Sequence, residues 1–313
     1  MRYLIRRAGH LVAVMFAVTF LTFLSMNLLG DPLKANLGPA YADKEVREQA
    51  REDLHLEGSI PSRYASWLGD AIQGDFGRSY NTGESVSAVI GERIPVSLML
   101  MAYAQILALV LAIPIAVMSA YRADRLFDRA STAVSFGAIA VPPFALGVIL
   151  LYFLSVKNDI FPARYLDGSF LDRLYSMFLP AFSIALPLGA VYMRVLRNDM
   201  IRTLQEEFIV FARSKGLSTW RILVRHALRP SSFSLVTVLA IQVGALLGGA
   251  LVAETIFSLP GLGFQIVRSV LQHDYVVVQS IVVVLALIYV LVNFLVDALY
   301  AVLDPRVRGA RSR

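Results

Sequence analysis

Long runs of apolar residues separated by shorter polar stretches dominate the chain. A helix that crosses a bilayer needs about 20 consecutive, mostly apolar residues. Six runs reach that length: 8–30, 96–121, 130–156, 176–193, 231–253 and 276–303. Pro142 and Pro143 lie within the third run, where they should break or kink the helix, and Pro114 and Pro187 should act more mildly. The pattern predicts an all-α polytopic membrane protein with six transmembrane helices.

The composition points to the same fold class. Of the 313 residues, 57% are hydrophobic and 17% are charged, and the mean hydropathy is +0.63. These values are typical of polytopic membrane proteins and rare in soluble domains. Because the sequence contains no cysteine, it excludes disulfides, thiolate nucleophiles and thiolate metal sites. We interpret the formal net charge of +6 as a record of membrane orientation, not of nucleic-acid binding.

The distribution of charge predicts the orientation. With the N-terminus inside, the inner segments hold 18 basic and 7 acidic residues, and the outer segments hold 11 and 16. Basic residues concentrate on the cytoplasmic side of membrane proteins. We therefore expect both termini to be cytoplasmic. The polar segment 206–230 then also lies in the cytoplasm.

The predicted domains follow from these spans. Residues 1–30 form the first transmembrane helix. The three arginines near its start resemble the beginning of a signal peptide, but the apolar run that follows is longer than the 7–15 residues usual in signal peptides. Residues 31–95 form an extracytoplasmic segment of short helices, in which Tyr64 and Trp67 suit a water–lipid interface. Residues 96–304 form the transmembrane core, and 305–313 a cytoplasmic tail.

The segment 206–230 has the pattern of two short helices separated by a glycine. Phe208, Phe211 and Ala212 fall at i, i+3 and i+4 and predict one apolar helix face. Acidic residues in the first turn and basic residues in the last suit the helix dipole; they are Glu206, Glu207, Arg213 and Lys215.

Gly216 should stop the first helix, Ser218 should cap the second, and Pro230 should end the segment. Two interpretations follow. The first helix is gripped by a partner in the cytoplasm, or it is a surface loop whose apolar face rests on its own chain.

A second group of candidates lies in the fifth span and directly after it. Gly244 and Gly248, with Gly249 beside them, form a small-residue face that lets two helices approach closely. Glu254, Pro260, Gly261 and Gly263 suggest a re-entrant turn at the outer mouth. Tight packing within one bundle is the simpler explanation of the glycines. In the last span Asn293 and Asp297 are polar, and an interfacial ion pair is an equal explanation for Asp297.

Several kinds of chemistry are missing from the sequence. There is no P-loop, no GxSxG and no HExxH motif. The centres of the six runs hold few polar side chains, mainly Gln105 and Gln242, whereas a proton-coupled carrier usually needs charges there. We therefore expect a passive conduit that takes its energy from another polypeptide.

The segment 206–230 resembles the cytoplasmic coupling loop of ABC importer permeases. ARSKGLSTWRILVRHALRP is similar to that loop in the dipeptide/oligopeptide class. Six further stretches resemble the same class: RYLIRR, GDFGRSY, RIPVSL, VPPF, GALLGGALVAETIFSLPGLG and LDPRVR. The long segment after the first span resembles the first, or B-type, of the two permease subunits. The loop departs from the general pattern at Val210, Phe211 and His226, and Pro230 comes one place late.

The resemblance implies a type I ABC importer permease fold and a heteromeric complex. A second permease subunit, two ATP-binding subunits that carry ATP and Mg, and an extracytoplasmic binding protein are its expected partners. Residues from Glu207 to Leu217 would sit in a cleft of an ATP-binding subunit, so a charge at Phe211 or Ala212 should uncouple hydrolysis from uptake. The substrates of such permeases include dipeptides, longer peptides, nickel chelates, glutathione and sugars. An autonomous carrier or channel and a membrane enzyme are the competing functions.

Overall fold

A computed structural model describes residues 2–28, 43–45, 48 and 59–303, and side chains for 9, 12–25, 43–45, 48 and 59–295. The predicted tail, the side chain of Asp297 and most of 31–58 lie outside the described residues. The described part is helical, with one isolated β-bridge between Arg78 and Ser85, which confirms the all-α class. The helices are α1 (Arg2–Leu28), α2 (Ile60–Ile72), α3 (Val86–Tyr121), α4 (Leu126–Ala140), α5 (Pro143–Val156), α6 (Phe170–Thr203), α7 (Glu207–Ser214), α8 (Thr219–Ile256), α9 (Leu262–Leu271) and α10 (Tyr275–Leu303).

Four helices are long and apolar enough to cross a membrane, namely α3, α6, α8 and α10. Helices α4 and α5 together qualify as a fifth, broken span with a bend of 96°. The bend falls at Val141 and Pro142, because prolines supply no helical N–H, and this confirms the predicted interruption. In α1 the described apolar stretch, Val12–Ser25, is shorter than a span. The count of six therefore stays a prediction.

The helix bounds differ from the predicted spans in three places. Helix α3 begins at Val86 instead of 96, inside the segment predicted to be extracytoplasmic. Helix α6 extends well past both ends of 176–193 and continues through Pro187. The predicted end at Pro230 is wrong, since α8 runs through it after a π-helical turn, Ile222–Ala227. A π-turn shifts the backbone hydrogen-bond register, so the helix continues into the proline with a changed bond pattern.

The chain divides into two compact units, one of Met1–Val96 with Pro260–Leu291 and one of Ser97–Leu259 with Val292–Arg313. In the first unit α2 packs against α1 through Tyr64. Its phenol oxygen lies 2.7 Å from the hydroxyl of Thr19, and its ring meets Phe16, Phe20 and Phe23 edge-on. Tyr64 is therefore buried between α2 and α1.

The first unit also has an aliphatic core and a polar tie between loops. Its core joins the start of α3, α9 and α10 through Val86, Ile90, Leu262, Val277, Ile281 and Val284. Near it, the buried Ser79 hydroxyl donates to the buried carboxylate of Asp274 at 2.5 Å. The Asn81 amide donates to the carbonyl of Gln272 at 2.9 Å. Burial raises the pKa of the neighbouring Tyr80 to about 12, so its phenol is uncharged at neutral pH.

In the second unit α6 is the central helix. It packs against α4, α5 and α8, and a continuous row of its side chains is buried. Gly189 lets α3 approach closely, since a Cβ there would lie 3.1 Å from the carbonyl oxygen of Ala108. One turn away, the fully buried Tyr192 donates to the side-chain oxygen of Gln105 on α3 at 3.2 Å. Helix α6 is therefore held on several sides within its own unit.

Candidate functional site

Helix α7 is a short helix whose two ends are defined by local chemistry. Glu206 is its N-cap, with extended backbone, and Glu207 lies in the first turn, where a carboxylate suits the helix dipole. Gly216 has φ of +74°, a conformation that glycine adopts without the steric cost of a Cβ. The N–H of Leu217 then bonds to the carbonyl of Ala212. The predicted glycine stop is confirmed, although Glu206 precedes the first turn.

The two faces of α7 differ in what they touch. Ile209 and Ala212 are buried, at 0% and 6% exposure, and the helix packs against the π-helical turn of α8. Phe208, Val210 and Phe211 are 47%, 62% and 61% exposed. A short surface helix thus uses its aliphatic side for its own chain and presents aromatic and branched side chains outward.

The predicted apolar face of α7 needs one correction. Phe208 and Phe211 are exposed, but Ala212 belongs to the buried side, because a small residue there lets α7 lie close to the chain beneath it. One side of the helix rests on its own chain, as the second interpretation predicts, and the other side is exposed; the grip by a cytoplasmic partner stays a prediction. The sequence analysis did not predict the exposure of Val210, or that of Trp220, which is 70% exposed just after the N-cap of α8.

Charged residues surround this exposed surface. Glu206, Glu207, Arg213 and Lys215 are all exposed, and Leu217 is half-buried. The Lys215 ammonium lies 4.4 Å from the centre of the Phe211 ring, a cation–π contact that orders both side chains. The surface therefore has an apolar centre and a charged rim, an arrangement common in protein–protein interfaces.

The base of the 206–230 segment is closed by a hydrogen bond between two helices. The hydroxyl of Ser231 on α8 donates to that of Thr203, the last residue of α6, at 2.9 Å. Within the segment, Ile222, Leu223 and Ala227 of the π-helical turn are buried, and α7 packs against this turn. The segment is thus anchored at its base, with α7 packed onto it.

A buried ion pair between α4 and α6 was not foreseen from the sequence. Arg197 donates from Nε to Asp128 Oδ1 at 2.5 Å and from Nη2 to Oδ2 at 2.6 Å. Asp128 is 2% exposed, and its Oδ2 also accepts the backbone N–H of Asp124 at 2.9 Å. The only sequence signal was a carboxylate in the short polar stretch 122–129, which includes the first turn of α4, because the two partners lie 69 residues apart.

The second predicted group lies toward the other end of α8. Gly249 faces α6, since a Cβ there would lie 3.4 Å from Ile184, while Gly244 and Gly248 are exposed and Gly248 has open space around it. Glu254 is buried, at 1% exposure. At 1.5 Å per residue, Glu254 lies about 35 Å from Ser231, a little more than the thickness of a hydrocarbon core.

Glycine and proline shape the turn after α8, as predicted. The N–H of Leu259 returns to the carbonyl of Glu254 at 2.9 Å, and Ser258 has φ of +51°. Pro260 follows, Gly261 is the N-cap of α9, and Gly263 is buried in its first turn. Among the residues described, no group of three His, Cys, Asp or Glu side chains is placed to hold a metal ion.

Long apolar helices, one of them broken, with a polar segment between two of them, are typical of an integral membrane protein. Residues 112–309 match the family described as "Binding-protein-dependent transport system inner membrane component". The chain belongs to this family.

Curated relatives extend the match to nearly the full length. The chain is 36% identical over 312 residues to the oligopeptide transport system permease protein AppB of Bacillus subtilis (strain 168), covering 97% of this chain and 98% of the relative. It is 34% identical over 333 residues to the di/tripeptide transport system permease protein DppB of Pseudomonas aeruginosa (strain UCBPP-PA14), covering 99% of each. A probable peptide ABC transporter permease protein of Sinorhizobium fredii, y4tP, is 31% identical over 310 residues, covering 98% and 99%.

These matches confirm the resemblance to ABC importer permeases of the dipeptide/oligopeptide class. The chain is a translocation subunit of an ABC importer and an integral inner-membrane protein. The autonomous carrier or channel is not favoured by any of these relatives.

Proposed function

We propose that the chain is the first of two homologous permease subunits in an ATP-driven importer of di- and oligopeptides. Two ATP-binding subunits, which would carry ATP and Mg, dock on the cytoplasmic side, and an extracytoplasmic binding protein delivers the peptide. Both termini of the chain are then cytoplasmic. The charge distribution of the sequence and the names of its relatives support this assignment.

The observation that carries the docking role is the two-sided character of α7. Its inner side is packed against its own chain, so the helix keeps its place without a partner. Its outer side leaves Phe208, Val210 and Phe211 in water, with the charged rim of Glu206, Glu207, Arg213 and Lys215 around them. Exposed apolar clusters with polar rims mark interaction sites. In this proposal that surface fills a cleft in an ATP-binding subunit.

The position of α7 explains how a docked partner moves the membrane part. Helix α7 lies between α6 and α8, two candidate spans whose ends are joined by the bond between Thr203 and Ser231. A displacement of α7 therefore reaches both spans together. Gly216 fixes the reversal between α7 and α8, since its positive φ is unfavourable for other residues. Alternating access follows as a rigid-body motion of packed helices.

We assign the translocation path and its packing to the outer part of α8 and the turn after it. The exposed face of Gly244 and Gly248 permits close approach of the second permease subunit. Glu254, Pro260, Gly261 and Gly263 are the further residues of this assignment. Cross-linking of a cysteine at Gly248 to the second permease subunit tests this assignment.

The decisive experiment changes the exposed side of α7. Phe211→Glu places a charge in the apolar centre of the surface and should remove the ATP-binding subunits from the affinity-purified permease. Phe170→Glu is the matched control, because Phe170 is 67% exposed at the opposite end of α6. Retention of the ATP-binding subunits and of binding-protein-stimulated hydrolysis in Phe211→Glu would contradict the docking role.

The substrate class is tested separately. Uptake of a labelled dipeptide by the assembled transporter should be competed by unlabelled di- and oligopeptides. Competition by a nickel chelate or a sugar, with none by peptides, would refute the peptide assignment and leave the docking role intact.

A further inference from the structure

The buried ion pair of Asp128 and Arg197 is a geometrically defined contact between α4 and α6. Both carboxylate oxygens accept from one guanidinium, at 2.5 and 2.6 Å. This forked pairing fixes the orientation of the two side chains as well as their distance. The Asp124 N–H bonds to the same carboxylate, and Asp124 has φ of 64°, so the turn between α3 and α4 is tied to the pair.

Two neighbouring contacts involve α4, one with α6 and one with α3. One turn before Arg197, the guanidinium of Arg194 lies 4.1 Å from the centre of the Phe136 ring on α4. The hydroxyls of Ser119 on α3 and Ser131 on α4 lie 2.7 Å apart. The end of α3, the start of α4 and α6 are therefore connected by directional contacts and not only by aliphatic packing.

The ion pair lies close to the base of the 206–230 segment. Arg197 precedes Thr203, the end of α6, by less than two helical turns, and α7 begins shortly after Thr203. A rigid helix transmits displacement along its length, so motion of α7 reaches Arg197 before it reaches the apolar part of α6. The contacts of Arg197 therefore determine which further helices move with α6.

We propose that Asp128 and Arg197 are positioning residues that make the turn between α3 and α4 move together with α6 and α7. The inference rests on the proposed docking role of α7 and adds the route by which its motion spreads. When the pair is intact, the broken span of α4 and α5 follows α6. When it is broken, the start of α4 no longer follows α6, and hydrolysis no longer drives a complete opening.

The absence of cysteine in the sequence allows a direct measurement. Cysteines are introduced for spin labels at Leu126, 83% exposed at the start of α4, and at Ser214, exposed at the end of α7. The distance between the labels is measured in the full transporter with and without ATP and vanadate. With the native pair the distance should stay the same in both states. In Arg197→Gln it should shift when nucleotide is trapped.

A change of distance with the native pair would overturn the inference, and so would an unchanged distance in Arg197→Gln. A purely structural role would lower stability without making the distance depend on nucleotide. Asp128→Asn and Arg197→Lys serve as second variants, because they keep the size or the charge and lose the fork. If any variant fails to assemble, the Lys variant, which keeps the cation, is measured in its place.

Coupling provides the second readout. Peptide taken up per ATP hydrolysed should fall about fivefold or more in Asp128→Asn and Arg197→Gln, the range of ordinary coupling free energies. The double variant Asp128→Arg with Arg197→Asp should recover part of the lost coupling. Arg129→Gln, an exposed arginine beside Asp128, is the control and should retain native coupling.

Association of the ATP-binding subunits separates this inference from the proposed function. Loss of coupling with those subunits still bound supports the ion pair as a transmitter. Native coupling in Arg197→Gln with the subunits bound would refute the transmitter and leave docking in place. Failure of the subunits to bind even the unaltered chain would refute the docking role itself.

Discussion

Helices α6 and α8 flank the same polar segment and are both long enough to span a bilayer, yet they are used differently. In the most apolar part of α6, 61% of the residues are buried within the chain, against 22% in α8. Helix α6 carries the buried ion pair, the tyrosine bond to α3 and the close approach at Gly189. Helix α8 shows mainly small and branched side chains on its exposed side. The difference separates a helix that organises its own unit from one whose apolar surface needs lipid or another chain.

Helix α7, in the segment between these two helices, likewise has one side buried in its own chain and one side exposed. The largest effect is expected there. Ala212→Glu places an unpaired carboxylate on the buried side of α7, at a cost of about 3 kcal/mol. Thermal unfolding of the purified subunit should therefore shift to lower temperature. Phe211→Glu, one residue away on the exposed side, should leave the unfolding temperature unchanged. Equal shifts in both variants would mean that α7 has no distinct inner side.

At the crossing of α3 and α6 we expect a somewhat smaller effect. Gly189→Leu drives a side chain toward the backbone of Ala108, and overpacking of this kind costs about 2–3 kcal/mol. The loss should appear as a lower unfolding temperature in detergent. Gly137→Leu on α4 is the control, because no atom lies within 4 Å of a Cβ there. If the control is equally damaged, close helix approach does not explain Gly189.

On α8 the corresponding change should act only in the assembled transporter. Gly248→Leu meets open space in its own chain, so the isolated subunit should unfold at the native temperature. Association with the second permease subunit should weaken about tenfold, or about 1.4 kcal/mol. Co-purification of the two permeases measures it. A lower unfolding temperature of the isolated subunit would show that this face of α8 is already covered within the chain.

The smallest effect concerns the polar contact in the middle of α6. Tyr192→Phe removes one hydrogen bond to Gln105 without changing the packing, at a cost of about 1 kcal/mol. A small drop in unfolding temperature with unchanged transport is expected. A change in peptide selectivity at native stability would instead indicate that Tyr192 acts on the substrate.

Local signals in the sequence predicted what depends on local chemistry. The glycine stop at Gly216 and the break at Pro142 follow from backbone preferences, and the structure reproduces both. Ser218 takes the predicted N-cap position with extended backbone, but its side chain makes no capping hydrogen bond. The apolar runs located the long helices but not their ends, because helices α3 and α6 continue beyond the runs into more polar sequence. Likewise, Pro230 was expected to end a helix that a π-helical turn carries through it.

The hydrophobic pattern of the sequence could not predict contacts between distant parts of the chain. Periodicity grouped Ala212 with Phe208 and Phe211, but which side of a short helix is covered depends on what packs against it, here the π-helical turn of α8. The pairing of Asp128 with Arg197 depends on the crossing of α4 and α6, which no single-sequence signal specifies. Function came from the resemblance of separated motifs, since apolar periodicity is common to many membrane proteins.

The bend between α4 and α5 has a consequence for backbone hydrogen bonding. In an unbroken helix the carbonyls of Ala138 and Ile139 would accept the N–H groups of residues 142 and 143, but both of these are prolines. Two oxygen atoms in the middle of an apolar stretch are thus denied their helical donors. Hydrocarbon cannot solvate them. Wherever this stretch crosses a bilayer, the two oxygens need hydrogen-bond donors from outside the helix backbone, such as side chains, another polypeptide or water, so the bend is a polar point at apolar depth.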